Sequence, residues 1–579
     1  MKQYILIAIL ACGIQVQAQT AARDSAFQRT LILEREYNAT IDKASKINTL
    51  PEVKEPQAPQ AKIEYSNYST PANLKPEPSQ TDAARFFKDL ESSKKRGYVR
   101  AGVSTFVDID GDAGYQILNS EKDDLSLWLT HRSSSGNVKS LQTDEKLKLK
   151  LNDNIGAFRY SHNFESSKLF ADAKYTYSKF NYYGGGFSVD DEPTFRYPFL
   201  HSDQTNNIFD TNMGILLKNT LPVDILLGVN FTHFEQKESL LRDVKGTKEN
   251  SLKLNFDVDK DFNHDKLIGL AGYFRTNFYT VPDISDFDSY KNYGDLALNP
   301  YFKMEGDAWK MRLGVVTHFL FNQSKTFFYT PDVELSFRPY ETGLLYLIAK
   351  GEVADNSNKN IFYENRYIVP TERVLDSFTR LDGTAGFKTS ISGSFGIDFF
   401  AGYKISKQEH FYFPYLIITT NWNSYYPDYY DTKVLKLGTK LQYKYGKIFD
   451  ICLKATYYSW DIDKPTTGWG GEAWNKPAFE SDLTAGLNFQ VIPLRIDMAY
   501  HLETGRKAYD FYGDEDDFFN NDIINMKNIN DVSLTGTYSF GETFSIFAKA
   551  DNLFNQKYDI WYGYPAAGFR FMGGLSLKF

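Results

Sequence analysis

The chain closes with Asp551-Asn552-Leu553-Phe554-Asn555-Gln556-Lys557-Tyr558 and then Gly563-Tyr564-Pro565-Ala566-Ala567-Gly568-Phe569-Arg570-Phe571-Met572-Gly573-Gly574-Leu575-Ser576-Leu577-Lys578-Phe579. A terminal Phe behind alternating apolar residues reads as the last strand of a transmembrane outer-membrane β-barrel. Leu575, Leu577 and Phe579 fall on a lipid face, with Ser576 and Lys578 on a lumen face. The same alternation recurs upstream. Leu252, Leu254, Phe256 and Val258 oppose Lys253, Asn255, Asp257 and Asp259. Leu494, Ile496, Met498, Tyr500 and Leu502 oppose Arg495, Asp497, His501 and Glu503, and Leu435, Leu437, Leu441, Tyr443 and Tyr445 oppose Lys436, Lys440, Gln442 and Lys444. Strict period two over long segments, with charge on one face each time, favours a membrane barrel over a soluble sandwich.

Composition agrees. Aromatics make up 16%, yet the mean hydropathy is −0.44. A barrel reconciles the two, because only alternate residues meet lipid and aromatic girdles mark both interfaces. After the N-terminal leader no apolar run is long enough for a transmembrane helix. The net charge of −8 argues against nucleic acid as a partner.

Turn spacing supplies the topology. Short Gly-, Asn-, Asp-, Ser- or Pro-rich connections fall at 119–123, 165–167, 219–224, 263–266, 306–308, 340–343, 392–394, 446–447, 492–493 and 541–542. Longer ones fall at 184–206, 282–292, 358–377, 409–428, 464–477 and 510–522. The alternation predicts an all-β fold of about 22 antiparallel strands, with short periplasmic turns, long extracellular loops and both termini periplasmic.

The C-terminal stretch resembles TonB-dependent receptors, whose last loop and strand have the form NLFNxxY…GYPxxGRxFxxGLxxxF. Asn552-Leu553-Phe554-Asn555, Tyr558, Tyr564-Pro565, Gly568, Arg570-Phe571, Gly574-Leu575 and Phe579 fit it. Phe569 shifts the Gly-Arg pair by one residue. Within that resemblance Gly574, Leu577 and Phe579 form the barrel-closing signal. The resemblance implies an outer-membrane receptor or porin-like barrel that carries a solute, with outer-membrane lipid as its surround.

The N-terminal end departs from the family. Met1 to Ala18 reads as a secretory signal peptide, cleaved between Ala18 and Gln19, with a lipoprotein signal ending at Cys12 as the alternative. Cleavage leaves Cys452 as the single thiol, so neither an intrachain disulfide nor a cysteine metal cluster is expected. Residues 19–96 are expected to form a Pro-rich periplasmic segment, with Pro51, Pro56, Pro59, Pro71, Pro76 and Pro78 in extended chain and short helices near Phe27-Leu31 and Thr81-Lys95. This segment is shorter than the family's plug and shows no Val/Thr-rich TonB-contacting box. The expectation is a barrel at 97–579 without direct TonB coupling, its lumen filled by residues 19–96, by external loops folded inward, or by another protein.

Candidate site residues are few. Trp422, Tyr425, Tyr426, Trp469 and Trp474 are candidates for stacking a planar or sugar ligand, with girdle and loop packing as the alternative. Asp514-Glu515-Asp516-Asp517 lacks the spacing of a calcium loop and reads as a solvated acidic run. Gly184-Gly185-Gly186 has no strand-to-helix context for phosphate binding. Lumen lysines Lys436, Lys440 and Lys444 are expected to be balanced by acids such as Asp257 and Asp497. No nucleophile–base pair can be named, so no enzyme, cofactor or metal is expected. Two functions remain: a solute-transporting or gated barrel, and a structural subunit of an outer-membrane complex that docks periplasmic or outer-membrane protein partners through its N-terminal segment.

Overall fold

The structure, a computed structural model, describes residues 95–184, 203–218, 223–239, 245–263, 265–281, 290–369, 373–391, 393–416, 423–463, 471–509 and 523–579. Twenty-two strands form one sheet, and each pairs antiparallel with its chain neighbour. The first strand, Gly97–Ser104, pairs with the last, Arg570–Lys578, in register from Tyr98↔Lys578 to Ser104↔Met572. Gly97 and Phe579 exchange backbone hydrogen bonds of 2.8 and 2.9 Å at the end of that seam. Closure leaves the sheet without an edge, as a hydrocarbon surround requires. No described helix is long and apolar enough to cross a membrane.

All ten short connections read from the sequence fall between consecutive strands. One long connection is corrected. Residues 409–428 were expected as a loop, but Phe395–Leu416 and Asn423–Tyr445 pair through most of that span. Their Tyr and Phe residues match the pleat, and the ladder carries them outward past the other strands. The signal peptide, residues 19–94 of the Pro-rich segment, Gly185, Gly186, Trp422, Trp469 and the acidic run 514–517 lie outside the described residues.

The faces sort as alternation demands. Leu129, Met213, Leu254, Leu437, Leu575 and Leu577 are exposed on the outer wall. Exposed aromatics cluster at both strand ends: Phe319, Phe321, Phe327 and Tyr329 at the outer end, and Trp309, Phe337, Tyr340, Phe540 and Phe579 at the periplasmic end. These are the two interface girdles. Inside the wall, six aromatic rings lie directly opposite glycines on the neighbouring strand. The pairs are Tyr98/Gly114, Phe170/Gly214, Tyr301/Gly269, Tyr346/Gly386, Phe400/Gly438 and Phe547/Gly574. A Cβ at any of these glycines would come within 2.2–2.5 Å of the facing ring. Each ring lies against backbone that only glycine exposes, which fills the inner surface of the wall. Tyr301 and Tyr346 also donate hydroxyl hydrogen bonds to Asp257 (2.9 Å) and Asp398 (2.8 Å).

The C-terminal motif is a folded corner. Asn552 and Asn555 adopt positive φ of 47° and 48°, a region Asn tolerates well. The Asn552 side chain accepts from the Gln556 N–H (2.8 Å) and donates to the Ala567 carbonyl (3.2 Å). Asn555 accepts from the Phe569 N–H at 2.9 Å, and Tyr558 donates to Asp531 at 2.8 Å. Arg570 then crosses the seam to Asp108 at 2.8 Å, with both side chains buried.

Candidate functional site

The side chains that converge from distant parts of the chain meet at the outer mouth of the barrel. Between the thirteenth and fourteenth strands, Gly343–Val353 and Phe378–Ile391, the described residues 354–369 and 373–377 turn inward across the opening and are called the strap here. The segment is amphipathic, which decides how it folds. In the helix Asn358–Glu364, Ile361 and Phe362 are buried while Lys359 and Glu364 reach charged partners. Phe362 packs with Phe180 and Phe234 of the wall. Tyr367 stacks on Tyr564 at 3.9 Å between ring centroids.

Ion pairs tie this strap to distant parts of the wall. Lys359 reaches Asp210 (2.9 Å), Arg366 reaches Asp153 (3.0 Å), and Glu364 meets Lys476 (2.9 Å) and His410 (3.0 Å). Asp153 lies on Lys146–Asn163, the fourth strand, nine places round the ring of 22 from the strap's root. The strap therefore spans most of the opening. The densest clamp surrounds Arg275 on Lys266–Thr280. Its guanidinium lies 2.7 Å from Asp355, 2.9 Å from Asp376 and 3.7 Å from Asp295, and Arg373 lies 3.6 Å from Asp376. Burial pushes the Asp376 carboxyl up to about 6, against the pull of Arg275 and Arg373. Burial also opposes ionisation of Asp355, but Arg275 and Lys359 outweigh it and hold that carboxyl below its ordinary range. Glu364 behaves likewise: burial is overcome by Lys476 and His410, and it stays well below the usual carboxylate range.

A second element completes the closure. The hairpin Asp559–Trp561/Tyr564–Pro565 lies in the last external loop. Arg506, 2% exposed, donates to the Asp559, Ile560 and Lys527 carbonyls. Gln142 donates to Asp559 at 2.6 Å, Tyr425 to the Tyr562 carbonyl at 2.6 Å, and Tyr183 to the Pro565 carbonyl at 3.2 Å. Strap, hairpin and strand ends share one buried core that includes Tyr183, Ile361, Val374, Tyr412, Tyr425 and Tyr564. The strap also pairs its backbone with the wall, Val369 N–H to the Tyr425 carbonyl (2.6 Å) and Tyr425 N–H to the Tyr367 carbonyl (3.0 Å).

Of the aromatics singled out in the sequence, Tyr425 is fully buried in this core. Trp474 is 1% exposed and packs edge-on to Phe413, with half-buried Tyr426 against the same ring. All three belong to packed clusters at the mouth rather than to an open cleft. Gly574, Leu577 and Phe579 sit at the seam, with Gly574 beneath the Phe547 ring. The lumen charges pair: Lys436 with Asp382 (3.1 Å), Arg312 with Asp332 (2.8 Å) and Arg495 with Asp497 (2.6 Å). Among the described residues no group of three or more His, Cys, Asp or Glu is placed to hold a metal. Sequence reading missed Arg275, Arg366, Arg373, Asp355 and Asp376. The density of charge between 355 and 376, in a loop otherwise rich in Ile, Phe, Tyr and Val, was the available signal.

No protein-family model and no curated protein matches the chain. Solved structures do match in fold. The FrpB iron transporter from Neisseria meningitidis (F3-3 variant) superposes with a TM-score of 0.64 at 11% identity, over 86% of this chain and 83% of that chain. The siderophore receptor PirA from Acinetobacter baumannii gives 0.64 at 8% identity, over 84% and 81%. A mutant of the ferric enterobactin receptor PfeA from Pseudomonas aeruginosa gives 0.61 at 11% identity, over 84% and 81%. The barrel has the fold of TonB-dependent receptors, the large barrels of the Gram-negative outer membrane.

Proposed function

We propose that this chain is an outer-membrane transport barrel whose external mouth is held closed at rest by the strap between the thirteenth and fourteenth strands. The observation that carries this reading is the set of ion pairs from the strap to opposite parts of the wall. Polar clamps suit a gate, because water can take over each charged partner once the strap lifts. Solute transport is the task that gives such a gate a purpose. The names of the fold's neighbours, an iron transporter and siderophore receptors, make an iron chelate the first solute to try. Under this proposal residues 1–18 direct export, and residues 19–96 lie in the periplasm below the barrel.

One observation favours a second reading. The tyrosine core of the lid is fully buried, as a permanent closure would be. A permanently shut barrel would serve as a scaffold for partner proteins. Two measurements separate the readings. Purified protein in planar bilayers should be nearly silent and should conduct when the clamp residues are replaced. Affinity capture from native membranes should recover the protein alone. Stoichiometric partners, together with clamp variants that never conduct, would sink the transport reading.

A further inference from the structure

The lipid-facing wall carries a polar ladder on the strands Asp123–Lys139 and Lys146–Asn163. Leu127 and Leu129 are exposed on the outer face, and His131 and Ser133 continue it. Phe158 is exposed on the facing strand, so Asn154 and Asn152, in register with His131 and Ser133, share that face. The four side chains hydrogen-bond in one line. Ser133 Oγ lies 3.2 Å from His131 Nε2, His131 Nδ1 donates to Asn154 Oδ1 at 2.7 Å, and Asn154 donates to Asn152 Oδ1 at 2.6 Å. The line ends on the Asn152 amide nitrogen, which has no acceptor among the described residues. Thr211, Thr276 and Thr317 also face lipid, but each donates to a carbonyl of a neighbouring strand at 3.2–3.4 Å.

Depth decides what the ladder meets. A row of register partners climbs from Phe579 in the periplasmic girdle, through Tyr115, Leu127 and Phe158, to Phe321 in the outer girdle in eleven strand-to-strand steps. The strand Trp309–Phe321 spans the same two girdles along its own length. The two climbs agree at a strand tilt of about 37°, for strands about 4.8 Å apart that rise about 3.3 Å per residue. On that scale His131 and Asn154 stand roughly 10–13 Å below Phe321, inside the hydrocarbon, with Ser133 and Asn152 roughly 4–7 Å below it. Hydrocarbon offers their remaining donors and acceptors no partner, so burial against a polar surface is favoured. Serine, histidine and asparagine each donate and accept, so this ladder complements a copy of itself, where a row of one charge would repel it. A two-fold axis along the membrane normal, between the two strands, keeps every residue at its own depth and sets ladder against ladder. It also brings exposed Ile109 against exposed Tyr175 of the second copy, at depths that agree within roughly 2 Å. We propose that two copies of this chain pair in the membrane through the ladder Ser133, His131, Asn154 and Asn152. The contact lies on the outer wall, so pairing leaves the mouth and its strap free.

The test uses the full-length chain in native outer membranes, with Cys452→Ala as background and a short bis-maleimide as the probe. Ser135→Cys, on the same face just above Ser133 and outside the hydrogen-bonded line, should give a crosslinked dimer of twice the mass. Tyr329→Cys, exposed in the outer girdle nine strands away, should stay monomeric. Adding His131→Leu/Asn152→Leu/Asn154→Leu to Ser135→Cys should lower the dimer yield about tenfold, the worth of two symmetry-related hydrogen bonds between membrane segments. All variants should keep the heat-modifiable gel mobility of a folded barrel. If the triple variant fails to fold, Asn152→Leu alone carries the test, with the same loss at the ladder's open end. Leucine suits a face that meets only lipid, so an undiminished dimer in a folded ladder variant would overturn the proposal. So would a Ser135→Cys chain that stays monomeric, equal crosslinking of Tyr329→Cys, or a Ser135→Cys product with a different protein in place of the dimer.

Discussion

Replacing Arg275 by Met is the sharpest test of the clamp. Arg275 is 2% exposed, and its guanidinium serves Asp355, Asp376 and Asp295. Met keeps much of the apolar stem but removes the charge, so three carboxylates stay clustered around a neutral side chain. Breaking a buried ion pair by removing one partner costs roughly 3–5 kcal/mol. Asp295 belongs to the wall and keeps its Tyr273 hydrogen bond whether the strap is in or out. Only the two strap carboxylates, Asp355 and Asp376, can escape by lifting. At about 1.4 kcal/mol per tenfold, a conservative 3 kcal/mol shifts the open-to-closed ratio about 100-fold. Hydrogen exchange reads this directly, whatever else occupies the lumen. Amides of 355–369 should exchange about 100-fold faster than in the parent, while those of Tyr293–Gly306 and Lys266–Thr280 keep their protection. Conductance in planar bilayers should rise in parallel. Unchanged strap exchange in a folded Arg275→Met barrel would refute the reasoning, because the strap would then be held by its tyrosine core alone.

The other outcomes probe the same architecture. Asp376 has its carboxyl raised to about 6 in the closed state, so its protonation stabilises the lid as pH falls from 7 towards 5. Asp355 and Glu364 are held low, so their stabilisation is lost only below about pH 4. Strap exchange, corrected for intrinsic rate, should therefore slow between pH 7 and 5 and quicken below 4; a monotonic rise with acid would contradict this. Tyr564→Ala removes the ring stacked on Tyr367 from a fully buried site and should cost the lid roughly 3 kcal/mol, seen as protease cleavage within 354–377 under conditions that leave the parent intact. Gly214→Val drives a side chain to within 2.4 Å of the Phe170 ring and 2.5 Å of the Leu227 carbonyl, and should destabilise the barrel by about 1–3 kcal/mol. The check is a lower temperature for loss of the compact band on gels. Arg570→Met leaves buried Asp108 without its cation at the seam and should lower the same temperature by more.

The barrel itself was legible because its physics is local and repeated. Lipid on one face and water on the other impose period two on each strand, so Leu252–Val258 or Leu575–Phe579 can be read without knowing any contact. Tight turns need particular residues, and all ten short connections announced themselves as Gly, Asn, Asp, Ser or Pro. The sequence also located the closing seam, because the C-terminal residues that mark it are consecutive. The lid was not legible. It joins residues from 138–183, 354–369, 373–377, 410–413, 424–430, 474–506 and 559–567, and nothing in any one of those segments names its partners. Residues 409–428 read as loop because Pro and polar residues interrupt the pattern, yet the two long strands pair through 409–416 and 423–428. The tyrosines at 425 and 564 carry the same residue type as the girdle. Only the inward fold of the external loops made them core, because burying those rings against one another stabilises the mouth more than exposing them to water. Alternation along one chain thus determined the wall, while closure of the mouth was decided by loops meeting across the lumen at distances in sequence that no local pattern encodes.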